Sequence, residues 1–281
     1  MTQEMTALKT AIIERFGTPC AVIDLDLVAR NIVTAQDRCD AVGLANRPHI
    51  KTHKSPVLAN LQIKAGARGI TCQKLGEAEV MANAGITDII IATNLLGAAR
   101  SGRLAKLQRR LPLKVCADNT VSLSAYSQAA AQAGRPMDVL IECETGQKRA
   151  GVETPKEALT LAKVIRDDPH LNFAGLLFYP SLDSWSQTQV FFDHTAAGLS
   201  DLGLSAKIVS TGGTPNFSHI GSLKGATEHR AGTCIFNDRM MIKAGVATLE
   251  DCAFQVFTSV VSRAGSERGI LDAGSKTLTS D

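Results

Sequence analysis

The sequence has few aromatic residues. They make up only 4% of its 281 residues, whereas hydrophobic residues make up 44%. A core must therefore be filled mainly by Ala, Val, Ile and Leu, as is usual where helices cover a buried parallel sheet. The length is that of one large or two modest domains, at about 150 residues each. This composition favours an α/β protein.

The sequence also lacks an excess of charge of one sign, since 30 basic and 27 acidic residues give a net charge of +3. A charge so evenly balanced gives no reason to expect a nucleic acid partner. There is no run of 18 apolar residues, and Met1–Phe16 lacks the apolar segment of a signal peptide. We therefore expect neither a membrane span nor a membrane partner.

Paired cysteines are missing as well. The cysteines are odd in number and never form Cys-x-x-Cys; the seven are Cys20, Cys39, Cys72, Cys116, Cys143, Cys234 and Cys252. Scattered thiols are typical of a reducing compartment, where a buried thiol acts as a small apolar side chain. We expect a cytoplasmic protein.

What the sequence does contain is a regular alternation of short apolar strands and helices. The predicted strands are Ala45–Ile50, Gly69–Cys72, Asp88–Ala92, Leu113–Ala117, Met137–Cys143, Asn172–Phe178, Ala206–Ser210 and Thr227–Arg230. The predicted helices between them are Pro56–Ala65, Gly76–Ala84, Ala98–Gln108, Thr120–Gln132, Pro155–Asp167 and Gln187–Leu202. Eight such strands predict a parallel sheet closed into a (β/α)8 TIM barrel, with an open doubly wound sheet as the alternative.

After about Gly245 the alternation stops. Asp251–Val261 is rich in Val, Phe and Thr, and Gly269–Ala273 is a second apolar run with no helix before it. These segments predict antiparallel strands of a second, β-rich domain, and Cys20–Asp24 is expected to join them because so small a sheet rarely stands alone. The predicted domains are an N-terminal segment (1–25), the barrel (26–245) and the start of the β domain (246–281), only part of which we expect this chain to contain.

The most distinctive stretch is Arg47–Lys54, Arg-Pro-His-Ile-Lys-Thr-His-Lys. Lys51 falls where a short strand would end, and a lysine shielded from water there can lose its proton and attack a carbonyl group. The alternative is a solvated basic loop without chemistry.

A second candidate is Ser210–Thr214, Ser-Thr-Gly-Gly-Thr, after the seventh predicted strand. Adjacent glycines let the backbone approach an anion and the hydroxyl groups add donors, so this stretch predicts a phosphate site, with a simple turn as the alternative. In a barrel the active site lies at the carboxyl ends of the strands, and a phosphate commonly binds after strands seven and eight.

Together, a nucleophilic lysine and a phosphate site describe a binding site for a phosphorylated aldehyde, pyridoxal 5′-phosphate. Arg149, Tyr179 and Gln73 lie at other predicted strand ends and are candidates for contacts with its ring. His229-Arg230 is a candidate neighbour of the phosphate. His49 and His53 are a weak candidate for a metal pair, and Asp272 either reaches the site or forms a turn.

These residues resemble a known family. The matching motifs are 47–54, Cys-Gln-Lys with Gly-Glu-Ala-Glu at 72–79, Arg149-Ala-Gly-Val, Ser-Thr-Gly-Gly-Thr-Pro at 210–215 and Asp-Ala-Gly-Ser-Lys at 272–276. They resemble the D-threonine aldolase and D-serine dehydratase family of alanine racemase-like (fold type III) pyridoxal phosphate enzymes, over nearly the whole chain.

The resemblance implies that Lys51 forms the Schiff base with the coenzyme. It implies that Gln73, Arg149 and Tyr179 hold the ring and that Thr211, Gly212, Gly213 and Thr214 hold the phosphate. It also implies a homodimer, a D-amino acid substrate and a divalent metal ion (Mn, Mg or Zn) whose ligands are expected beyond Asp281.

The resemblance predicts a lyase that cleaves D-threonine-type β-hydroxy-D-amino acids to glycine and an aldehyde. The alternatives are a D-serine dehydratase and, from another class, a non-catalytic pyridoxal phosphate-binding protein. Tyr179-Pro180 stands where the family often has Tyr-His, which leaves the choice of reaction and substrate open.

Overall fold

The computed structural model describes residues 3–278, with side chains from Thr6 onward. In this range the residues up to Asn31 and those from Ile235 onward form one compact unit, and Ile32–Cys234 forms another. Residues 1–2 and 279–281 of the predicted terminal domains lie outside the described residues. No helix within residues 3–278 is long and apolar enough to cross a membrane.

The secondary structure alternates as the sequence predicts. The α-helices are α1 (Gln3–Phe16), α2 (Leu25–Asp40), α3 (Pro56–Lys64), α4 (Leu75–Asn83), α5 (Ala98–Arg110), α6 (Thr120–Ala133), α7 (Pro155–Asp167), α8 (Trp185–Asp201) and α9 (Arg239–Lys243). The strands are β1 (Cys20–Ile23), β2 (Ala45–Asn46), β3 (Ile70–Cys72), β4 (Ile89–Ile91), β5 (Lys114–Ala117), β6 (Met137–Cys143), β7 (Leu171–Phe178), β8 (Ile208–Gly212), β9 (Glu228–Arg230), β10 (Phe254–Phe257), β11 (Val260–Ser262) and β12 (Ile270–Leu271).

Helix α7 shows why a local prediction can succeed to the residue. Thr154 accepts a hydrogen bond from the backbone of Glu157, whose carboxylate accepts one in return from Thr154, and Pro155 occupies the first turn. This capping box, followed by a residue that fixes φ, marks the helix start in the sequence itself.

The unit Ile32–Cys234 contains one parallel sheet of eight strands, in the order β2-β9-β8-β7-β6-β5-β4-β3. Its ends meet, because the Arg68 N–H donates to Asn46 O (2.9 Å) and the Thr71 N–H donates to Pro48 O (2.8 Å). The strands thus follow the chain around a ring. The predicted (β/α)8 TIM barrel is confirmed, and the alternative of an open doubly wound sheet is wrong.

The central strands are buried on both faces. Ile89, Ile90 and Ile91 are all completely buried. Ile90 packs inside the barrel, whereas its two neighbours belong to the larger cluster that includes side chains of the surrounding helices. Such double burial explains why these strands appear in the sequence as continuous apolar runs, and why aliphatic residues suffice for the core.

The other unit contains the antiparallel strands. β1 pairs with β10, with Cys20 opposite Phe257 and Ile23 opposite Phe254, so the prediction that Cys20–Asp24 joins these strands is confirmed. β11 pairs with β12. The Asp272 carboxylate accepts hydrogen bonds from the Thr258 hydroxyl (2.7 Å) and the Ser259 N–H (3.0 Å), which is the turn-forming role that the sequence allowed.

The predicted strand Ala45–Ile50 is wrong in its second half. β2 ends at Asn46, and Ile50–Thr52 forms a short 3-10 turn. Pro48 has no N–H to donate to a neighbouring strand, and His49 makes only an isolated bridge to Thr71. Lys51 therefore lies in a turn beyond the strand and not at the strand end itself.

Candidate active site

The turn that carries Lys51 is fixed by its own backbone. The Lys54 N–H donates to Ile50 O (2.7 Å), and the Lys51 N–H points at His49 Nδ1 (3.4 Å). A short turn held at both ends orients the lysine side chain without fixing its ammonium group.

The surroundings of Lys51 favour its neutral amine. Partial desolvation lowers the pKa of Lys51, and the positive charges of Arg149 and Arg230 lower it further, while the Glu77 carboxylate opposes them. Like charges near an ammonium group disfavour the protonated form. Lys51 is therefore a better nucleophile near neutral pH than an ordinary surface lysine.

His49 links this turn to Gln73. His49 Nδ1 faces a backbone N–H and so acts as the acceptor, which leaves the proton on Nε2, 3.2 Å from Gln73 Oε1. The Gln73 amide group donates one hydrogen to Ala92 O (3.3 Å). Burial, with Lys51 and Arg230 nearby, lowers the pKa of His49 to about 3, so its ring is neutral. Gln73 consequently keeps one N–H for a ligand.

The second histidine of the motif is also committed to hydrogen bonds. His53 Nδ1 accepts from the Ser55 N–H (3.0 Å), and its Nε2 lies 3.2 Å from Gln62 Oε1. Within residues 3–278 no group of three His, Cys, Asp or Glu side chains could hold a metal ion. The two histidines organise the turn.

The predicted glycine turn follows β8. Gly213 has φ of 100°, and a Cβ atom there would lie 2.4 Å from Tyr179 Cε2. A Cβ on Gly212 would lie 3.0 Å from Arg230 O. The Gly213 N–H donates to Arg230 O (2.9 Å) and is thus already engaged. The glycines therefore allow the close approach of Tyr179 and Arg230 to this turn.

The hydroxyl groups beside the glycines support the turn. His229 Nε2 lies 3.2 Å from Gly213 O, which only accepts, so His229 Nδ1 is the acceptor for Thr211 Oγ1 (3.1 Å). Burial lowers the pKa of His229 to about 4, which keeps the ring neutral. Thr214 Oγ1 accepts from the Cys234 N–H (3.1 Å) and keeps its own proton for another acceptor.

Shared neighbours connect Lys51 with the glycine turn. The positive charge of Arg230 lowers the pKa of Lys51. Arg230 also pairs with Gly212 between β9 and β8, and its Nη2 donates to Phe178 O (2.9 Å). Arg149, which also acts on Lys51, lies 5.6 Å from the centre of the Tyr179 ring, and Tyr179 packs on Gly213. The sequence-predicted residues thus lie around one end of the barrel.

Two carboxylates of this site are not among the predicted site residues. Glu77 accepts a hydrogen bond from the Gln73 N–H (2.7 Å), and its negative charge raises the pKa of Lys51. Its position near the start of α4 is the sequence feature that could have identified it. Glu142, whose pKa is raised by burial against the effect of Arg230, accepts from Cys116 Sγ at 3.6 Å. Nothing local in the sequence marks this second contact.

A parallel barrel that gathers an amine, guanidinium groups and a glycine turn at the carboxyl ends of its strands defines an α/β-barrel enzyme. The chain belongs to the alanine racemase, N-terminal domain family, whose model matches residues 23–240. The resemblance to D-threonine aldolases seen in the sequence motifs is thereby confirmed.

Individual relatives agree with this family. The chain is 36% identical over 281 residues to a D-threonine aldolase of Arthrobacter sp, covering 95% of this chain and 74% of the relative. It is 35% identical to the D-threo-3-hydroxyaspartate dehydratase of Delftia sp. (strain HT23), covering 94% and 73%. The crystal structure of D-threonine aldolase from Filomicrobium marinum superposes with a TM-score of 0.85 at 32% identity, covering 93% and 74%.

Proposed function

We propose that the protein is a pyridoxal phosphate-dependent lyase that cleaves D-threonine-type β-hydroxy-D-amino acids to glycine and an aldehyde. The observation that carries the proposal is the lowered pKa of Lys51 beside Arg149 and Arg230, which are linked in turn to the glycine turn. The similarity to the Arthrobacter D-threonine aldolase supports the reaction.

The side chains around Lys51 fit this coenzyme. Arg230 Nη1 is buried and has no hydrogen-bond partner among the described residues, so a donor is available for an acceptor of the ligand. Gly213 leaves no room for a side chain beside Tyr179, so the glycine allows Tyr179 to pack against the turn at the proposed phosphate site. When bound, the coenzyme supplies an electron-withdrawing ring that stabilises negative charge at the substrate α-carbon.

Each predicted residue has a proposed part in holding it. Lys51 Nζ would bond the aldehyde carbon, and Gln73 would donate its remaining N–H. Arg149 and Tyr179 would contact the ring. The phosphate would lie at Thr211–Thr214, where the Thr214 hydroxyl is a free donor and Thr211 acts by holding His229 against the turn.

Lys51 is also the proposed base. Burial lowers the pKa of its Nζ, and the positive charges of Arg149 and Arg230 lower it further, so the neutral form that can accept a proton is favoured relative to an ordinary lysine. The Lys51 amine would accept the proton of the substrate β-hydroxyl as the Cα–Cβ bond breaks. The β-carbon would leave as the aldehyde, and the bonding electrons would stay on the α-carbon, which takes up a proton to give glycine.

Several further properties are proposals from the family resemblance. The domain that binds the coenzyme would be residues 26–245, and the protein would be a homodimer, which light scattering would test. None of the seven cysteines forms a disulfide, in keeping with the proposal of a cytoplasmic location. A divalent metal ion is implied by the family, but residues 3–278 offer no cluster that could hold one, so we derive no step from it.

The test begins with an absorption spectrum. Purified protein supplied with pyridoxal phosphate should show a visible band that borohydride bleaches, with Lys51 in the modified peptide. Lys51→Ala should show no such band and no turnover, and Lys106→Gln, an exposed change on α5, serves as the control. Persistence of the bleachable band in Lys51→Ala would refute the assignment.

Assays with D-threonine and D-serine separate the candidate reactions. Glycine and acetaldehyde from D-threonine support the aldolase, whereas pyruvate from D-serine supports the dehydratase alternative, which the similarity to the Delftia dehydratase favours. Coenzyme binding without turnover of either substrate, in the presence of added divalent metal ions, would leave a non-catalytic binding protein.

A further inference from the structure

Three loops at the carboxyl ends of the barrel strands are joined by one carbonyl group. The loops are 144–149 after β6, 179–184 after β7 and 213–216 after β8. Pro180 O accepts hydrogen bonds from Gln147 Nε2 (3.1 Å) and from Asn216 Nδ2 (3.0 Å). The first and the third loop are therefore both tied to the second loop at Pro180.

Asn216 uses both hydrogens of its side-chain amide in this arrangement. Its Nδ2 also donates to Gly212 O (2.8 Å), and the residue is only 2% exposed. Because both partners are carbonyl oxygens, which only accept, the amide cannot turn over without losing both hydrogen bonds. The Asn216 side chain therefore fixes the distance between Pro180 and the end of β8.

Each loop also carries one residue of the proposed coenzyme site. These residues are Arg149 in the first loop, Tyr179 in the second and Gly213 in the third. Tyr179 immediately precedes Pro180, whose ring fixes φ and so removes one backbone torsion between the tyrosine and the shared carbonyl. A hydrogen bond to Pro180 O thus acts on the position of Tyr179, which packs on Gly213.

Each loop region buries one polar atom that has no partner among the described residues. The three atoms are Thr145 Oγ1, Trp185 Nε1 and Asn216 Oδ1. Most buried polar atoms in native proteins are paired, because an unpaired one destabilises the fold. The packing of these loops is therefore not optimised for stability alone, and such exceptions are expected at functional sites.

We propose that Asn216 is a positioning residue of the coenzyme site. Through Pro180 O it holds Tyr179 against Gly213, and it thereby sets the spacing between the side chain that contacts the ring and the turn that holds the phosphate. Gln147 supports the same carbonyl group. The inference rests on the proposed binding of pyridoxal phosphate, and it assigns two residues that lie outside the predicted site.

The chain offers a matched control in Asn31. Its side-chain amide also donates to two backbone carbonyls, Ile235 O (3.2 Å) and Asp251 O (2.8 Å), and the residue is 5% exposed. These three residues belong to the other compact unit, which contains none of the proposed coenzyme contacts. Asn31→Ala and Asn216→Ala each remove two hydrogen bonds from a buried site, so both should lower the urea midpoint to a similar extent.

The first measurement is of coenzyme binding. Asn216→Ala should raise the Kd for pyridoxal phosphate about tenfold, as expected for losing two ordinary hydrogen bonds. It should also reduce the visible circular dichroism at saturating coenzyme, because the ring is then held less firmly. Asn31→Ala should change neither quantity.

Gln147→Leu tests the shared carbonyl group. It should weaken coenzyme binding less than Asn216→Ala, because Pro180 O keeps one donor. The double variant should lose more affinity than the two single losses predict, because Pro180 O then has neither donor. Gln147 is only half-buried, so this variant also serves if Asn216→Ala does not fold.

Trp185 gives a readout that requires neither the coenzyme nor turnover. It is the only tryptophan of the chain, and its ring stacks on His219, three residues after Asn216, with 5.6 Å between the ring centres. In coenzyme-free Asn216→Ala the fluorescence emission should shift to longer wavelength, because a loosened loop exposes the indole to water. Asn31→Ala should emit like the wild type.

The outcomes separate the inference from the proposed function. Wild-type affinity and wild-type circular dichroism in Asn216→Ala would overturn the inference. Equal losses of affinity in Asn216→Ala and Asn31→Ala would overturn it too, because reduced stability would then explain both. A wild-type protein that binds no pyridoxal phosphate would instead refute the proposed function, whereas the emission of Trp185 would still report whether Asn216 holds the loop.

Discussion

Charged side chains are arranged differently at the amino ends and at the carboxyl ends of the barrel strands. At the amino ends Arg47 is paired with Glu228 (2.7 Å) and Asp88 (2.7 Å), and Lys114 also contacts Asp88 (2.9 Å). At the carboxyl ends the positive charges of Arg149 and Arg230 lower the pKa of Lys51, and Arg230 has a buried nitrogen without a partner among the described residues. Paired charges stabilise a fold, whereas crowded like charges shift pKa values and leave donors for a ligand.

The difference follows from what each end must do. Carboxyl-end residues of such barrels carry the chemistry, and the opposite end contributes stability. Ser210, one residue before Thr211, donates a hydrogen bond to Glu228 (2.6 Å). Ser210 therefore belongs to the network of paired charges around Arg47. One segment of chain therefore serves the stabilising network with Ser210 and the candidate site with Gly213.

The largest expected effect on stability comes from breaking the paired network. Arg47→Met leaves Glu228 completely buried without its cation, and removal of one partner of a buried pair costs about 3–5 kcal/mol of unfolding free energy. Urea denaturation would measure it. Lys114→Met is the control, because the Lys114–Asp88 pair is partly exposed and should contribute only about 0.2–1 kcal/mol.

Equal losses in Arg47→Met and Lys114→Met would contradict the comparison. The double variant Arg47→Met with Glu228→Gln should recover part of the loss, since no unpaired charge then stays buried.

A smaller effect is expected at the glycine turn. Gly213→Ala places a Cβ 2.4 Å from Tyr179 in a backbone conformation that L-residues rarely adopt, which should cost about 1–3 kcal/mol and weaken coenzyme binding. Gly134→Ala is the matched control, because Gly134 also has positive φ (68°) but no atom within 4 Å of the added Cβ. Its cost should be about 1 kcal/mol, without an effect on coenzyme binding.

If both alanine variants bound the coenzyme like the wild type, the close approach at Gly213 would have no functional meaning. Fluorescence titration with pyridoxal phosphate would decide.

Much of the barrel could be predicted because its signals are local. Helix α7 begins at a capping box, and the apolar runs of β4 and β6 are long enough to identify buried strands. The candidate site was found through Lys51 and the glycines, whose residue types are themselves unusual at strand ends. In contrast, β2 was predicted too long, because the apolar pattern does not show that the strand ends at Asn46 and that His49 caps a 3-10 turn at Ile50–Thr52.

Long-range pairings could not be predicted. Arg47 and Glu228 are 181 residues apart, and Cys116 and Glu142 are 26 apart, with no local pattern that connects either pair. The sequence showed a basic motif. It did not show that Arg47 belongs to the stabilising network, whereas Lys51, four residues later, belongs to the candidate active site. That distinction requires the direction of each side chain in the closed barrel.

The smallest expected effect is on the pH dependence of stability, and it comes from His49. Its neutral ring lies between the cations at the carboxyl ends of the strands and Gln73. The folded pKa of His49 is about 3, below its ordinary value of 6.5, so between these values the unfolded chain binds more protons than the folded one. Stability should therefore fall as the pH drops below 6.5, by up to about 1.4 kcal/mol per pH unit for this one group.

His49→Gln, whose amide can make both hydrogen bonds, should show a shallower loss in urea denaturation between pH 6.5 and pH 5. His229 keeps its own contribution of the same sign in both proteins, so some loss must remain in the variant. Above pH 6.5 the difference between the two proteins should not change with pH. Equal slopes in the acid range would mean that His49 can be protonated in the folded protein, and that the cations at this end of the barrel are less crowded than the structure indicates.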